Sequence, residues 1–265
     1  MCSLYTCPLV VLQLQYADMG LDNNNSNQVA LFVTCLVDQI YPEIGLAATR
    51  VLKGAGFEVD FPEGQTCCGQ PFYNSGFVKE ARRLAKRTIE IFRNYPAIVL
   101  PSGSCTTMIR KEYVHLFEKD SNWHQEAVAL AKKTFELTEF LTKSGGLEIK
   151  NPARNGLVTY HDSCHMSRSL GIKEQPRELL KQAGFQIVEM QAVDRCCGFG
   201  GLFSMRMPEV SQAMTEEKLL RAKQTKAPIL VSSYPGCLMQ MRNNQKAPSA
   251  VQIKHIAELL DEVIG

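Results

Sequence analysis

Eight of the ten cysteines in this chain of 265 residues fall into two copies of one spacing pattern, and this repeat constrains the fold more than any other feature. The first copy consists of Cys35, Cys67, Cys68 and Cys105, and the second copy consists of Cys164, Cys196, Cys197 and Cys237. In each copy, 32 positions separate the first cysteine from an adjacent cysteine pair that a glycine follows. Residues 137–141 and 256–260 also resemble each other. An internal repeat of this length predicts a duplicated domain.

The repeat divides the chain into three segments. Residues 28–148 are predicted to form a first cysteine-rich domain and residues 149–265 a second one. Residues 1–27 lie outside the repeat and are interpreted as an amino-terminal extension that ends in a flexible linker. Cys2 and Cys7 belong to this extension, and no role in a cysteine site is expected for them.

Apolar, β-branched runs alternate with amphipathic stretches in both halves. Three runs in each half predict buried strands, at residues 29–33, 57–61 and 97–100 and at residues 157–160, 185–190 and 229–232. Between two of them, residues 77–94 place Ala81, Ala85 and Phe92 on one helical face and basic residues on the other. The alternation predicts an α/β fold of two duplicated parallel-sheet halves, related by a pseudo-twofold axis.

The cysteines of the repeat all lie just past the carboxyl ends of predicted strands. Ligands of open α/β sheets bind at that edge, so cysteines that are distant in sequence can converge there. Several glycines lie in the same loops. They are Gly69, Gly103, Gly198, Gly200 and Gly236. These glycines are predicted to let the backbone pass close to a bound inorganic group and to donate amides toward its sulfurs.

Four thiols that converge in each half indicate a metal centre. Four thiolates would repel one another, and a metal removes that repulsion by binding the deprotonated sulfurs. Adjacent cysteines such as Cys67 and Cys68 cannot form a disulfide with each other without strain. Four cysteine ligands suit either a [4Fe–4S] cluster or a zinc ion. The sequence has no Cys-x-x-Cys element of the kind that zinc knuckles use, and this favours iron–sulfur.

The overall composition argues against several other classes of protein. The chain has 29 basic and 27 acidic residues, so neither a nucleic acid nor an anionic membrane surface is an expected partner. The longest apolar run, residues 8–14, is too short to span a bilayer, and no transmembrane segment is expected. It also lacks the features of a signal peptide. We therefore expect a cytoplasmic protein. In a reducing compartment of this kind, clustered cysteines are typical of metal sites.

The residues that surround the cysteines are similar to the motifs of a known family. The motifs are Cys67-Cys68-Gly69-Gln70-Pro71, Pro101-Ser102-Gly103-Ser104-Cys105, Tyr160-His161-Asp162-Ser163-Cys164-His165 and Cys196-Cys197-Gly198-Phe199-Gly200-Gly201. The doubled pattern resembles the CCG cysteine-rich domain of iron–sulfur oxidoreductases, which include heterodisulfide reductase and the glycolate oxidase iron–sulfur subunit. It most closely resembles the LutA/YkgE family (lactate utilisation protein A), and the resemblance covers residues 28–265.

This resemblance implies an oxidoreductase subunit of an L-lactate-oxidising complex that is active only with its partner subunits. The implied partners are a ferredoxin-like iron–sulfur subunit and a third lactate-utilisation subunit. The implied substrate of the complex is L-lactate or a related 2-hydroxy acid. The implied cofactor is one or two iron–sulfur clusters of the [4Fe–4S] type held by the eight repeat cysteines, with zinc as an alternative in one half.

One departure from the fullest family motif concerns the type of cluster. That motif ends each half with Cys-x-x-Cys and so provides five cysteines, whereas Met108 and Gln240 stand at the last position here. The unusual noncubane cluster of heterodisulfide reductase is therefore in doubt, and ordinary four-cysteine clusters fit better.

The two halves also differ beside their first cysteine. His161 and His165 flank Cys164, whereas Phe32 and Leu36 stand at the corresponding positions of the first half. These histidines are predicted to tune a potential, relay a proton or touch substrate, with a structural role as the alternative. The second half is therefore the expected redox centre, and the first half a structural or secondary site.

Two other functions stay open on the sequence alone. The chain could be a zinc-stabilised scaffold subunit of the same complex, or a thiol–disulfide enzyme similar to heterodisulfide reductase. The basic residues between Lys79 and Arg87 could dock an acidic ferredoxin-like partner, although a solvated helix face is the favoured interpretation.

Overall fold

The computed structural model describes residues 27–153, 156–245 and 251–264 of the chain. It contains two four-stranded sheets, one in each half, and every strand pair in them is parallel. This confirms the predicted duplicated α/β fold. The predictions for Cys2, Cys7 and the linker up to residue 26 fall outside the described residues.

The two sheets have the same strand order. The first contains β1 (Gln28–Leu31), β2 (Glu58–Asp60), β3 (Ile98–Leu100) and β4 (Thr134–Glu136), in the order β2-β1-β3-β4. The second contains β5 (Leu157–Tyr160), β6 (Gln186–Ile187), β7 (Ile229–Ser232) and β8 (Gln252–His255), in the order β6-β5-β7-β8. The sequence predicted three strands in each half and missed β4 and β8. Both are short edge strands with polar residues among the apolar ones, so they lack the continuous apolar run of a central strand.

Helices connect the strands in both halves. The first half contains α1 (Cys35–Gln39), α2 (Pro42–Gly54), α3 (Gln70–Asn74), α4 (Val78–Phe92), α5 (Gly103–Thr107), α6 (Tyr113–Leu116), α7 (Ser121–Lys132) and α8 (Leu137–Lys143), with a π-helical segment, π1 (Met108–Glu112), between α5 and α6. The second half contains π2 (His165–Leu170), α9 (Glu174–Gln182), α10 (Leu202–Arg206), α11 (Pro208–Gln224), α12 (Pro235–Asn243) and α13 (Ile256–Ile264). Among the described residues of both halves, no helix is long and apolar enough to cross a membrane.

Helix α4 forms where the sequence predicted a helix over residues 77–94. Its residues Ala81, Ala85 and Phe92 are buried, and the basic residues lie on its exposed face. The prediction of its amphipathic character is confirmed.

The two halves pack through reciprocal helix pairs. Helix α2 of the first half contacts α13 of the second, and the corresponding helices α9 and α8 contact each other. Arg50 and Asp261 form an ion pair across the first of these contacts, at 2.6 Å. One apolar core runs through the interface and includes Leu52 and Phe140 from the first half and Leu180 and Leu260 from the second. A pseudo-twofold axis produces reciprocal contacts of this kind. The same packing turns the cysteine loops of both halves toward each other.

Candidate metal centre

All eight cysteines of the repeat line a single cavity with a volume of about 390 Å³. The sequence predicted one group of four in each half but gave no indication that the two groups share a cavity. The first group consists of Cys35, Cys67, Cys68 and Cys105, and the second group consists of Cys164, Cys196, Cys197 and Cys237. None of these eight cysteines is in a disulfide.

The first group forms because three strand ends meet at one sheet edge. Cys35 begins α1 after β1, the Cys67–Cys68 pair follows β2, and Cys105 lies in the first turn of α5 after β3. The sulfurs of Cys35 and Cys67 are 3.8 Å apart. Cys68 and Cys105 are buried and hydrogen-bond to each other through their thiols. The predicted convergence of these four side chains is observed.

The second group repeats this arrangement. Cys164 follows β5 and precedes π2, the Cys196–Cys197 pair lies in the loop after β6, and Cys237 lies in the first turn of α12 after β7. The sulfurs of Cys197 and Cys237 are 3.2 Å apart, and both side chains are buried.

The same alternation of protonation runs through both groups. Hydrogen bonds from Cys35 and Cys68 lower the pKa of Cys67 to about 3. In the second group, hydrogen bonds from Cys164 and Cys197 lower the pKa of Cys196 to about 2.

The hydrogen-bonding partners of these two thiolates show the opposite shift. Donating a hydrogen bond to a neighbouring sulfur raises the pKa of the first cysteine of each group, Cys35 and Cys164. The second cysteine of each adjacent pair, Cys68 and Cys197, has its pKa raised in the same way and by burial. Each group therefore holds thiolates beside protons that a bound metal would replace.

The glycine after each cysteine pair points its backbone amide at a cysteine sulfur, and its contact with a bound inorganic group stays a prediction. The amides of Gly69 and Gly198 donate to the sulfurs of Cys67 and Cys196, at 3.5 and 3.3 Å. Both glycines have positive φ angles, +87° and +91°, which a side chain rarely adopts. At Gly198, a β-carbon would also collide with the carbonyl of Ser211.

The other predicted glycines are constrained by packing. A β-carbon on Gly103 would overlap Met166 of the other half, and one on Gly236 would overlap Phe199 and Tyr234. Gly200 lines the cavity with a φ of +49°. Their contact with a cofactor stays a prediction.

The carbonyls of the two cysteine pairs are held by different side chains. The Tyr113 hydroxyl donates to the carbonyl of Cys68 at 2.7 Å. In the second half, Thr215 donates to the carbonyl of Cys197 at 2.7 Å, and Gln240 donates to Thr215 at 2.8 Å. Gln240, the residue in place of a fifth cysteine, is therefore part of this support.

His165 bridges the two halves. Gln70 of the first half donates to Nε2 of His165 at 3.3 Å, which assigns the ring proton to Nδ1. Nδ1 lies 3.8 Å from the sulfur of Cys164, so its N–H points toward that sulfur. Burial lowers the pKa of His165 and keeps the ring neutral.

His161 lies deeper than His165. Its side chain is buried beside Cys197 and Cys237, and the donor atoms of the three residues all lie within 4.8 Å of one another. Neither ring nitrogen of His161 completes a hydrogen bond of normal geometry with a described residue. The corresponding Phe32 stacks on Phe92 at a centroid distance of 5.3 Å.

Asp162, the residue between His161 and the cysteine loop, is fixed by Arg177. The Arg177 guanidinium bonds both carboxylate oxygens of Asp162, at 2.9 and 3.3 Å, and it also pairs with Glu189. The pKa of Arg177 is raised, because these two carboxylates outweigh the effect of burial.

Two side chains near the cysteines were missed by the sequence reasoning. Lys218 in α11 is buried and donates to the carbonyls of Ala192 and Val193, at 3.3 and 2.9 Å, while interacting electrostatically with Cys197 and Cys237. Tyr234 lies between the groups and hydrogen-bonds to Ser104 of the first half. A helix alignment of the two repeats would have revealed Lys218, because Thr88 stands at the corresponding position of α4.

The donor set of each group fits a thiolate-bound metal or cluster. Four sulfurs converge, backbone amides point at one of them, and the cavity between the groups is mainly apolar. Hydrogen bonds to sulfur and a dry surrounding are features that hold and tune iron–sulfur clusters.

The chain is similar to known proteins in both sequence and structure. The profile of the CCG cysteine-rich domain matches residues 29–110 and 158–242. The chain is 44% identical over 238 residues to "Lactate utilization protein A 2" of Bacillus cereus (strain Q1), covering 88% of this chain and 97% of that protein. It is 45% identical over 236 residues to "Lactate utilization protein A" of Bacillus subtilis (strain 168), covering 88% and 99%.

A crystal structure of a hypothetical protein from Helicobacter pylori is similar in fold, with a TM-score of 0.64 and 7% sequence identity. The match covers 99% of this chain and 55% of the other, so this chain spans about half of that protein.

Proposed function

The chain belongs to the lactate utilisation protein A family of CCG cysteine-rich-domain proteins, and on this premise we propose that it is an iron–sulfur electron-transfer subunit of an L-lactate-oxidising complex. The observation that carries the proposal is the pair of four-thiol groups on one cavity, each with the same alternation of thiol and thiolate. The names of the relatives support the role in lactate utilisation.

The eight repeat cysteines would hold one or two [4Fe–4S] clusters. Such a cluster accepts and releases single electrons without changing its ligands. The chain's own residues would bind it and exclude water. Gly69 and Gly198 donate N–H groups to ligand sulfurs, and Tyr113 and Thr215 fix the carbonyls of the two cysteine pairs.

The lining of the cavity argues that the hydroxy acid reacts elsewhere. None of the described residues that line it is an arginine or a lysine, so a carboxylate in the cavity would meet thiolates without a cation in contact with it. Conversion of L-lactate, or a related 2-hydroxy acid, to the 2-oxo acid releases two electrons and two protons. We assign this step to a partner subunit, with the protons passing to water and the electrons passing singly through this chain to a ferredoxin-like iron–sulfur subunit.

Zinc is the second candidate, and one observation favours it. The donor atoms of His161, Cys197 and Cys237 lie within 4.8 Å of one another, and zinc accepts sulfur and imidazole ligands together. A zinc ion in the second half would make the chain a scaffold subunit there. A thiol–disulfide enzyme, the third function that the sequence left open, would need no metal.

Anaerobic purification with metal analysis and EPR separates these functions. We expect brown protein with about eight iron atoms per chain for two [4Fe–4S] clusters, or about four for one, and an EPR signal that appears on reduction. Colourless zinc protein would instead support the scaffold, and metal-free protein that cycles between dithiol and disulfide would support the third function. The Cys68→Ser and Cys197→Ser variants then assign the metal to each group.

A further inference from the structure

His161 is a buried imidazole whose ring nitrogens lack a conventional hydrogen-bond partner. The side chain is 1% exposed, and neither ring nitrogen makes a hydrogen bond of normal geometry to any residue that the structure describes. The imidazole interacts instead with the sulfur of Cys237, electrostatically and through an N–H···S contact. Its position is therefore tied to the sulfurs of the second group.

The sulfurs of Cys197 and Cys237 lie next to this imidazole. The three donor atoms are within 4.8 Å of one another. A metal ion such as zinc binds thiolate sulfur at about 2.3 Å and imidazole nitrogen at about 2.1 Å, so a sulfur and a nitrogen on one metal are at most about 4.4 Å apart and two sulfurs at most about 4.6 Å. Small side-chain rotations would bring the imidazole nitrogen within ligand distance of a metal bound beside the two sulfurs.

The first half shows what the same position looks like without a coordinating side chain. Phe32 replaces His161 there and packs on Phe92. The residue that corresponds to Phe92 in the second half is Ala222, so the aromatic ring on which Phe32 stacks has no counterpart at that position. The two halves thus fill one position with an apolar ring and a ring that can bind metal.

The residue at the position of the missing fifth cysteine is not available to a metal. Gln240 stands there, but its amide donates to Ser211 and Thr215, at 2.9 and 2.8 Å, and so supports the loop of Cys197. Gln240 therefore offers no free donor to a metal of the second group, whereas the imidazole of His161, just past the end of β5, lies beside two of its sulfurs.

We propose that His161 takes the place of one of the four thiolates as a metal ligand of the second cysteine group, which therefore has a mixed thiolate and imidazole ligand set, whereas the first group binds through thiolates alone. This inference rests on the proposed function for the identity of the metal, an iron–sulfur cluster. Replacing thiolate by imidazole raises the reduction potential of such a cluster, as histidine ligation does in Rieske centres.

Pulsed EPR on the reduced, iron-loaded protein tests the assignment. The Cys68→Ser background removes the signal of the first group, and ¹⁵N-labelled histidine identifies the nitrogen. We expect a strong nitrogen coupling that is lost in His161→Gln and retained in His165→Gln, the matched control. His161→Cys should keep the cluster without the coupling and should lower its potential.

Several outcomes would overturn the proposal. A cluster in the second group without nitrogen coupling, or with a coupling that survives in His161→Gln, would do so while leaving the proposed function intact. If the protein binds zinc and no iron, the proposed function fails, and the ligand is tested by replacing zinc with Co²⁺. Its absorption spectrum should then change more in His161→Gln than in His165→Gln, which removes only a hydrogen bond to a ligand sulfur, and a spectrum that His161→Gln leaves unchanged rejects His161 as a ligand. Metal-free protein rejects both proposals.

Discussion

The first half surrounds its cysteines with aromatic and apolar side chains, whereas the second half places nitrogen bases and a buried cation there. Phe32 and Tyr113 stand near Cys68 and Cys105, while His161 and Lys218 stand near Cys197 and Cys237. The strand order, the cysteine positions and the alternation of thiol and thiolate are nevertheless the same. What the halves share is needed to converge four sulfurs, and what they do not share can set a different reactivity for each group.

The largest expected effect comes from removing one ligand in each half. Cys197→Ser should lose the metal of the second group and abolish lactate-dependent dye reduction by the reconstituted complex, because serine is a poor ligand for iron. Cys68→Ser should harm assembly or stability at least as much as turnover. Metal content and dye reduction are measured for each variant, and Cys2→Ser and Cys7→Ser are expected to behave as wild type.

The result also tests whether the two groups are independent. Full activity in Cys197→Ser with loss in Cys68→Ser would reverse the roles of the halves. Total loss in both would mean that they act as one unit, an outcome to which the shared cavity gives a physical basis.

The sequence predicted the grouping of the cysteines well because topology enforces it. In a parallel sheet the loops after neighbouring strands lie at one edge. The equal spacing of 32 residues before each cysteine pair therefore places the cysteines of both halves at equivalent points of their sheets. The shared cavity could not be predicted in this way. It depends on how α2 packs on α13 and α8 on α9, and these contacts leave no spacing signal.

Individual polar residues behind the cysteines were missed for a different reason. Lys218 lies in a charged helix, where a lysine is ordinarily solvated, and in the sequence only its correspondence to Thr88, on the buried face of α4, marks it. The carbonyls of Ala192 and Val193 that it meets are brought to it by the fold. Gln240 was noticed only as a missing cysteine, although its amide holds Thr215. Hydrogen bonds between distant segments of this kind are a property of the folded chain.

A second comparison concerns the residues that cap α8 and α13. Glu136 ends β4 and accepts from the amides of Thr138 and Glu139, at 2.7 and 3.3 Å. His255 ends β8, and its Nδ1 accepts from the amide of Ala257 at 3.1 Å. Burial raises the pKa of Glu136 to about 8 and lowers the pKa of His255 to about 3. The two corresponding caps should therefore respond to pH in opposite directions.

The signs follow from the unfolded values, 4.5 for glutamate and 6.5 for histidine. The contribution of Glu136 is complete below pH 4.5 and is lost as the pH rises toward 8, because the unfolded chain gives up this proton first. The contribution of His255 is complete above pH 6.5 and is lost as the pH falls toward 3. Glu136→Gln should flatten the alkaline side of the stability profile and His255→Gln the acidic side, by a few kcal/mol in urea unfolding of the metal-free protein. Profiles that stay parallel to wild type would reject these assignments.

A smaller effect is expected from the side chains that hold the cysteine-pair carbonyls. Tyr113→Phe removes the donor to Cys68, and Thr215→Val removes the donor to Cys197, so each leaves a buried carbonyl unpaired at a cost of about 1–3 kcal/mol. Thr215→Val should cost more, because Gln240 also loses an acceptor. Urea unfolding of both variants measures the difference, and equal losses would show that Gln240 adds nothing.

The smallest expected effect is a change of potential caused by Lys218. Its pKa is lowered to about 8 by burial, so the ammonium is still mostly charged at neutral pH, and a buried cation beside Cys197 favours the reduced, more negative state of a bound cluster. Lys218→Gln should make the second group's potential more negative by about 59 mV, a tenfold change in the ratio of reduced to oxidised protein at a fixed potential. Lys218→Arg should retain the wild-type value, and Thr88→Val, at the corresponding position of the first half, should move neither potential.

In wild type the potential should also fall as the pH passes through about 8, since the ammonium then loses its charge, whereas Lys218→Arg should show no such step. Redox titration followed by EPR measures all four proteins, and an unshifted potential in Lys218→Gln would show that the difference between the halves does not arise from this charge.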